Sequence, residues 1–225
     1  MKAMILAAGL GTRMQPLTHH TPKPLLRVGG KSLMVWHLEN LARAGFKEVV
    51  INIAHLGSQI PEALGDGSEW GLSLHYSDEQ EEGGLESAGG IVKALPHLQE
   101  SHPFLVLNGD IWTTYRFEME KRLPSGILAH LVLVPNPAHH PEGDFSLKEG
   151  KVADTPQYTF SGIGYYAPEL FEKVSYGKRA LAPLLREAMR QGRVRGELYE
   201  GEWHDIGTPQ RLAALNTALF NRDAL

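Results

Sequence analysis

Six positions in this chain have the residue types and spacing to handle a phosphate. Gly9 and Gly11 stand in "ILAAGLGTRM", directly after a short apolar run. Missing side chains there let backbone N–H groups approach phosphate oxygens. Arg13 follows, and Lys23 sits between Pro22 and Pro24. A guanidinium offers phosphate oxygens a planar fork, and an ammonium offers a compact point charge. Proline on both sides restricts the backbone of Lys23 and of its predecessor, which suits a positioned cation. Asp110 ends an apolar run as "LNGD", and Asp205 lies far along the chain in "WHDIGT". Two such carboxylates can share one Mg²⁺ and leave its other positions to water and substrate phosphates.

Two standard phosphate loops do not fit this stretch. A dinucleotide fingerprint needs a third glycine where Met14 stands, followed by a helix. A P-loop ending in Gly30-Lys31-Ser32 needs a glycine where Leu25 stands. The glycine pair alone is weak evidence, because Gly-x-Gly is often a structural turn. Its surroundings strengthen it. No Asp or Glu precedes Glu39, yet Lys2, Arg13, Lys23, Arg27 and Lys31 all fall in that stretch. A basic N-terminus on a chain of net charge -4 points to an anionic ligand there.

These residues must be positioned by ordinary globular elements. The chain has 225 residues, of which 42% are hydrophobic and 21% charged. That is the composition of a soluble domain with a sizeable core. The acidic balance argues against a nucleic-acid partner. With no cysteine, disulfides and thiolate metal sites are excluded. No apolar run is long enough to span a bilayer and no signal peptide is evident, so a cytoplasmic location is expected.

Lys2 to Leu6 reads as a strand buried on both faces. A Gly/Pro-rich loop runs on to Gly30. Ser32 can cap a helix from Leu33 to Ala44, with Gly45 as its stop. Glu48 to Ala54 is a second strand, and Ser58 can cap a short helix containing Pro61. Further strands are expected over Leu72–Ser77, Pro103–Asp110 and Ala129–Pro135, with a helix over Ala88–Leu95. Phe145–Asp154 reads as a hairpin around Glu149-Gly150, and Tyr158–Ala167 as a separate strand. A helix over Leu181–Gln191 and two short strands follow, and Thr208 can cap a closing helix to Phe220. Alternating strands and helices imply an α/β chain with a mostly parallel sheet. One domain over 1–225 is the economical reading.

The motifs together resemble the sugar-1-phosphate nucleotidyltransferases. "ILAAGLGTRMQPLTHHTPKPL" is similar to the family's signature, and "LNGD" and "WHDIGTP" to its two metal-aspartate motifs. The likeness runs from Met4 to about Leu215, in the family's order. It implies a three-layer α/β/α Rossmann-like fold with a mostly parallel mixed central sheet. A nucleotide-binding part over about 1–115 and a sugar-binding part over about 116–225 follow from it. The implied reaction joins a nucleoside triphosphate to a sugar 1-phosphate and releases pyrophosphate, with Mg²⁺ on Asp110 and Asp205. Ala7, Ala8, Gly9, Gly11, Thr12, Arg13, Lys23, Ser77, Gly89 and Asn108 are implied to bind the nucleotide. Asn136, Asp144, Gly162 and Glu86 are implied to bind the sugar. Lys23, Arg13 and Asp110 are implied to be catalytic.

Among short members, "NIAHLG", "LGDGSEWGL", "LESAGGI" and "NPAHHPEGDFSL" resemble enzymes that use UTP and N-acetylmuramate 1-phosphate in bacterial cell-wall recycling. Hexose-1-phosphate members usually carry a Glu-Lys-Pro-type segment before "FSG", where this chain reads "VADTPQYTFSG". A bulkier sugar, such as a 3-O-lactyl amino sugar, is therefore expected. Mannose, glucose or heptose 1-phosphate, or phosphocholine, are the alternative acceptors on the same fold. A non-catalytic nucleotide-binding subunit is disfavoured, because Lys23, Asp110 and Asp205 are all present. His19-His20 and His139-His140 lack a zinc spacing and are expected in surface loops. Glu79, Glu81 and Glu82 are expected in a solvated loop over about 78–87 that could act as a lid. Trp36 and Trp70 are expected to pack in the core.

Overall fold

The computed structural model describes residues 1–223. β1 (Ala3–Leu6) shows how the core is organised. Its side chains alternate between two buried apolar layers, with Ala3 and Ile5 in one and Met4 in the other. That is why the run is apolar throughout rather than alternating.

The long excursion after β1 is more ordered than a plain loop. It contains 3₁₀ turns at Thr12–Met14, Leu17–His19 and Lys23–Leu25, then a small hairpin of β2 (Arg27–Val28) and β3 (Lys31–Ser32). α1 (Leu33–Arg43) starts where Ser32 Oγ accepts the Val35 N–H at 3.2 Å. It ends before Gly45, whose φ of 94° few other residues would adopt. β4 (Glu48–Ile53) and α2 (Gln59–Leu64) follow. Ser58 does not cap α2 with its side chain: its own backbone is already helical, so its hydroxyl does not face the free N–H groups.

The remaining elements are β5 (Ser73–Asp78), α3 (Glu86–Leu98), β6 (Phe104–Asn108), β7 (Ile111–Thr113) and β8 (Ala129–Val134). Then come β9 (Phe145–Lys148), β10 (Lys151–Tyr166), α4 (Leu181–Arg190), β11 (Val194–Leu198), β12 (Trp203–Asp205) and α5 (Pro209–Asp223). The expected hairpin arm and the expected strand over Tyr158–Ala167 are one 16-residue strand, β10. Its first part pairs with β9 and its last part lies between β6 and β8, with register shifts that let one strand change partners.

The main sheet has the order β11-β8-β10-β6-β1-β4-β5, with β9 added on β10. β5, β4, β1 and β6 are mutually parallel, and β10 runs antiparallel beside β6. α1 and α2 pack in the cluster that holds Ala3 and Ile5; α3 and α4 pack in the one that holds Met4. The sheet is thus the middle of three layers in a mixed, mostly parallel α/β/α fold. The chain moves from β1 to β4 and β5 on one side, then returns to β6 on the other. The loops after β1 and β6 therefore part at a topological switch point, where open α/β sheets leave a crevice.

A third apolar cluster secures that crevice. Leu212, Leu215 and Leu219 of α5 pack on Met14, Leu26, Val28, Leu33, Trp112 and Ile206. Their spacing puts them on one helical face. Each buried leucine contributes about 1.5–3 kcal/mol. The cluster clamps the excursion that carries Arg13 and Lys23 between the body and the closing helix. Trp36 packs against it, edge-to-face with Trp112.

Candidate active site

A cleft of about 560 Å³ opens at the carboxyl ends of β1 and β6. Ala7, Ala8, Gly9, Gly11, Thr12, Arg13, Lys23, Glu86, Asn108 and Asp110 all line it. The two glycines differ in what they do. Gly11 has φ +64°, and a Cβ there would lie 2.9 Å from Thr18 Cγ2. The Thr18 hydroxyl donates to Gly11 O at 2.7 Å and fixes the turn. Gly9 has no atom within 4 Å of the space a Cβ would fill. Its openness belongs to the cleft and leaves room for a ligand. Gly11→Ala is accordingly expected to cost about 1–2 kcal/mol of stability from the left-handed backbone alone. Gly9→Ala is expected to leave stability within about 0.5 kcal/mol of wild type while weakening triphosphate binding. Urea unfolding and nucleotide titration of both variants check this; equal loss of stability would remove the distinction.

Lys23 reaches across the cleft, and its Nζ donates to Asp110 Oδ2 at 2.5 Å. The lysine side chain is 11% exposed and the aspartate 36%. Pro22 and Pro24 are both buried, so the 3₁₀ turn that aims Lys23 is anchored on either side. Behind Asp110 lies the fully buried His37 of α1. Burial drives its pKa from 6.5 down to about 4, against weaker support for the charged form from Asp110 and the Ile111 backbone. The folded chain thus holds His37 neutral, while the unfolded chain protonates it below pH 6.5. Stability from this group is present at pH 7 and is lost as pH falls from 6.5 to about 4, by up to about 3 kcal/mol. Urea unfolding across that range is expected to show a shallower pH slope for His37→Gln. Equal slopes would rule His37 out as the source.

β7 and β12 bring the second aspartate alongside the first. Asp205 pairs with Ile111, and Ile206 N donates to Asp110 O at 2.8 Å. The Asp205 carboxylate is engaged by two side chains: Arg211 Nη1 lies 2.5 Å from Oδ2 and His139 Nε2 lies 2.9 Å from Oδ1. His139 is therefore not a bland loop residue; the β8–β9 connection carries it onto the end of β12. His140 bonds Asp144 at 3.1 Å. Among the described residues no cluster of three or more acidic or histidine side chains could hold a metal unaided. Asp110, in the turn before β7, lines the cleft, while Asp205, at the end of β12, lines a neighbouring hollow with His139, Trp203 and Arg211; their backbones adjoin, and both are hard oxygen donors of the kind Mg²⁺ takes beside phosphate and water.

Glu79 is not in a solvated loop. It is fully buried, and its Oε1 accepts from Asn52 Nδ2 at 2.8 Å and its Oε2 from Leu85 N at 2.7 Å. Asn52 Oδ1 accepts from Ala7 N at 2.7 Å. This relay ties the opening loop to the turn before α3, two walls of the cleft. Burial raises the Glu79 pKa, and its hydrogen bonds oppose the rise. A Cβ at Gly90 would lie 2.6 Å from Glu79 Oε1, so the helix accommodates the carboxylate only with glycine there. Glu82 is also engaged, pairing with Lys93 at 2.6 Å; Glu81 is exposed.

Asn52, Gly83, Gly84, Ser87 and Lys178 line the cleft and were not anticipated. Asn52 had a signal: it is a polar residue at the carboxyl end of an apolar strand next to β1. Lys178 had none. Glu86 faces the cleft from a left-handed backbone of φ 60°. Ser77 and Gly89 lie behind the wall: Ser77 is buried next to Asn52 in the sheet, and Gly89 packs against the Gly177 carbonyl. Gly162 sits at the β10 bulge, where a Cβ would lie 2.5 Å from Asn108 Nδ2. Asn136 and Asp144 brace the β8–β9 connection. Asn136 bonds Pro141 O, Gln157 O and Thr159 Oγ1, and Asp144 Oδ2 accepts from Phe160 N at 2.8 Å.

A glycine loop, a fixed lysine and Asp110 line one cleft at the switch point, with Asp205 in the hollow beside it, and residue types of this kind suit phosphate. Comparison with known proteins gives the class. Residues 2–124 match the family described as Nucleotidyl transferase. A Neisseria meningitidis protein, N-acetylmuramate alpha-1-phosphate uridylyltransferase, is 54% identical over 222 residues, covering 94% of this chain and 95% of its own. A Caulobacter vibrioides protein of the same name is 32% identical, covering 94% of each chain. The crystal structure of a putative glucose-1-phosphate thymidylyltransferase from Bacillus anthracis shares the fold, with a TM-score of 0.83 at 20% identity over 97% of this chain and 95% of that one. This chain belongs to the nucleotidyl transferase family, and it is an enzyme.

Proposed function

We propose that this enzyme transfers a uridylyl group from UTP to N-acetylmuramate 1-phosphate, giving UDP-N-acetylmuramate and pyrophosphate in bacterial cell-wall recycling. The end-to-end likeness to the Neisseria meningitidis relative carries this reading. No described helix is long and apolar enough to cross a membrane, which accords with work on soluble substrates in the cytoplasm. The whole chain acts as one unit, its first half holding the nucleotide and its second half, with Glu86, the sugar.

The triphosphate lies over Gly9, whose open flank supports close approach to the backbone. The sugar-phosphate oxygen attacks the α-phosphorus in line. The bond from that phosphorus to the bridging oxygen breaks, and pyrophosphate leaves. The protein needs no nucleophile, because positioning and charge stabilisation dominate such transfers. Lys23 leaves Asp110 for the reacting phosphate, and Arg13 holds the departing pyrophosphate. Asp110 and Asp205 would hold Mg²⁺, which when bound neutralises phosphate charge. Glu86 contacts the sugar. Its left-handed backbone supports this, since such conformations cluster at ligand sites.

One assay tests the reading: four nucleoside triphosphates crossed with a panel of sugar 1-phosphates, Mg²⁺ present, pyrophosphate measured. UTP with N-acetylmuramate 1-phosphate is expected to give the dominant signal. Equal or better turnover of glucose 1-phosphate would remove the acceptor assignment.

A further inference from the structure

We propose that Arg211 is an internal counter-ion that keeps Asp205 closed to a divalent cation until a phosphate draws the guanidinium away. The proposal rests on the reading above, in which Asp110 and Asp205 hold the metal. Both oxygens of Asp205 already have partners, Arg211 at 2.5 Å and His139 at 2.9 Å. Asp110 is covered on one oxygen, Oδ2, by Lys23. A cation arriving alone meets a like charge on each carboxylate, and the two repel.

The seat of Arg211 is built for it. Thr208 Oγ1 accepts the Arg211 N–H at 3.3 Å in the first turn of α5. A Cβ at Gly207 would lie too close to Arg211 Nη2, so a larger residue there would require the guanidinium to shift. The partners of Arg211 are also over-subscribed. Its Nη1 lies 2.5 Å from His139 Nε2, the same nitrogen that faces Asp205. One imidazole nitrogen cannot accept from Arg211 and donate to Asp205 at once. One of these contacts therefore lacks a proton, so the three side chains cannot all be satisfied at once.

Another partner for Arg211 is at hand. Arg211 and Asp205 line a hollow beside the cleft, and Gly207, against the guanidinium, lines the cleft itself with Gly9 and Arg13 and so separates the two. A triphosphate there offers oxygens that can take both arms of the arginine fork, where Asp205 gives it one oxygen. Asp205 is freed as the phosphate arrives, and metal and nucleotide load together.

The test uses the full chain without substrate and Mn²⁺ as the probe, with free Mn²⁺ read by electron paramagnetic resonance at fixed pH. Arg211→Gln is expected to bind Mn²⁺ about tenfold more tightly than wild type, because a competing charge is gone. Arg211→Lys, which keeps the charge, is expected to stay within about twofold of wild type. Unchanged or weaker Mn²⁺ binding by Arg211→Gln would overturn the proposal. So would an Arg211→Lys protein that binds as tightly as Arg211→Gln. Adding Asp205→Asn to Arg211→Gln is expected to abolish the gain. If the gain persists, Asp205 is not a metal ligand, and it is the underlying reading that fails.

Discussion

Asp110→Asn is expected to lower pyrophosphate release about a thousandfold with Mg²⁺ present, roughly 4 kcal/mol of transition-state stabilisation. The amide keeps the size of the side chain and can still accept from Lys23. What it loses is the charge that grips a hard cation. The fold is expected to survive, because Asp110 is partly exposed and its pair with Lys23 is screened by solvent. A stability loss of about 1 kcal/mol is the upper expectation. The measurement is turnover at saturating substrates, set beside urea unfolding of the same preparation. Near-normal turnover would refute the metal role of Asp110; loss of folding would leave Lys23 as the way to test the site.

Lys23→Ala is expected to reduce kcat about 10²–10³-fold, the range for removing one preorganised donor from a developing charge. The arithmetic of the pair sharpens this. Lys23 and Asp110 neutralise each other across the cleft, so either single variant leaves a charge without its partner. The double variant Lys23→Ala/Asp110→Asn is therefore expected to lose less than the product of the two single losses. If Lys23→Ala raised only the KM for the sugar phosphate, with kcat unchanged, the lysine would bind the ground state and not the transition state.

How much of this could be read in the sequence depended on the range of the forces involved. β1, β4 and β6 were legible because strands buried on both faces must be apolar throughout. α1 was legible at both ends, since Ser32 and Gly45 are local signals. A phosphate site after the first strand was legible from the glycine loop and its cations, but the strand order that makes it a switch point was not. What could not be read depended on contacts between distant segments. Glu79 looks like one acid among several until Asn52, Leu85 N and the space at Gly90 are brought around it. His139 looks idle until its loop reaches Asp205. β10 looked like two elements because its pattern changes where its partners change. The neighbouring backbones of Asp110 and Asp205 depend on the pairing of β7 with β12, two three-residue strands with almost no signal of their own.

The clamp formed by α5 has a consequence for how the protein is made. Gly29 N donates to Asn216 Oδ1 at 2.9 Å, so the excursion after β1 is held by a helix made long after it. The parallel core of β1, β4, β5 and β6 can assemble as soon as its strands emerge, since domains form progressively during synthesis. The excursion bearing Arg13 and Lys23 then waits beside it, basic and without its apolar cover. A nascent chain is thus a nearly complete scaffold that cannot yet hold its phosphate-binding groups in place. Catalytic competence is expected to arrive with α5, which supplies the apolar cover for that excursion.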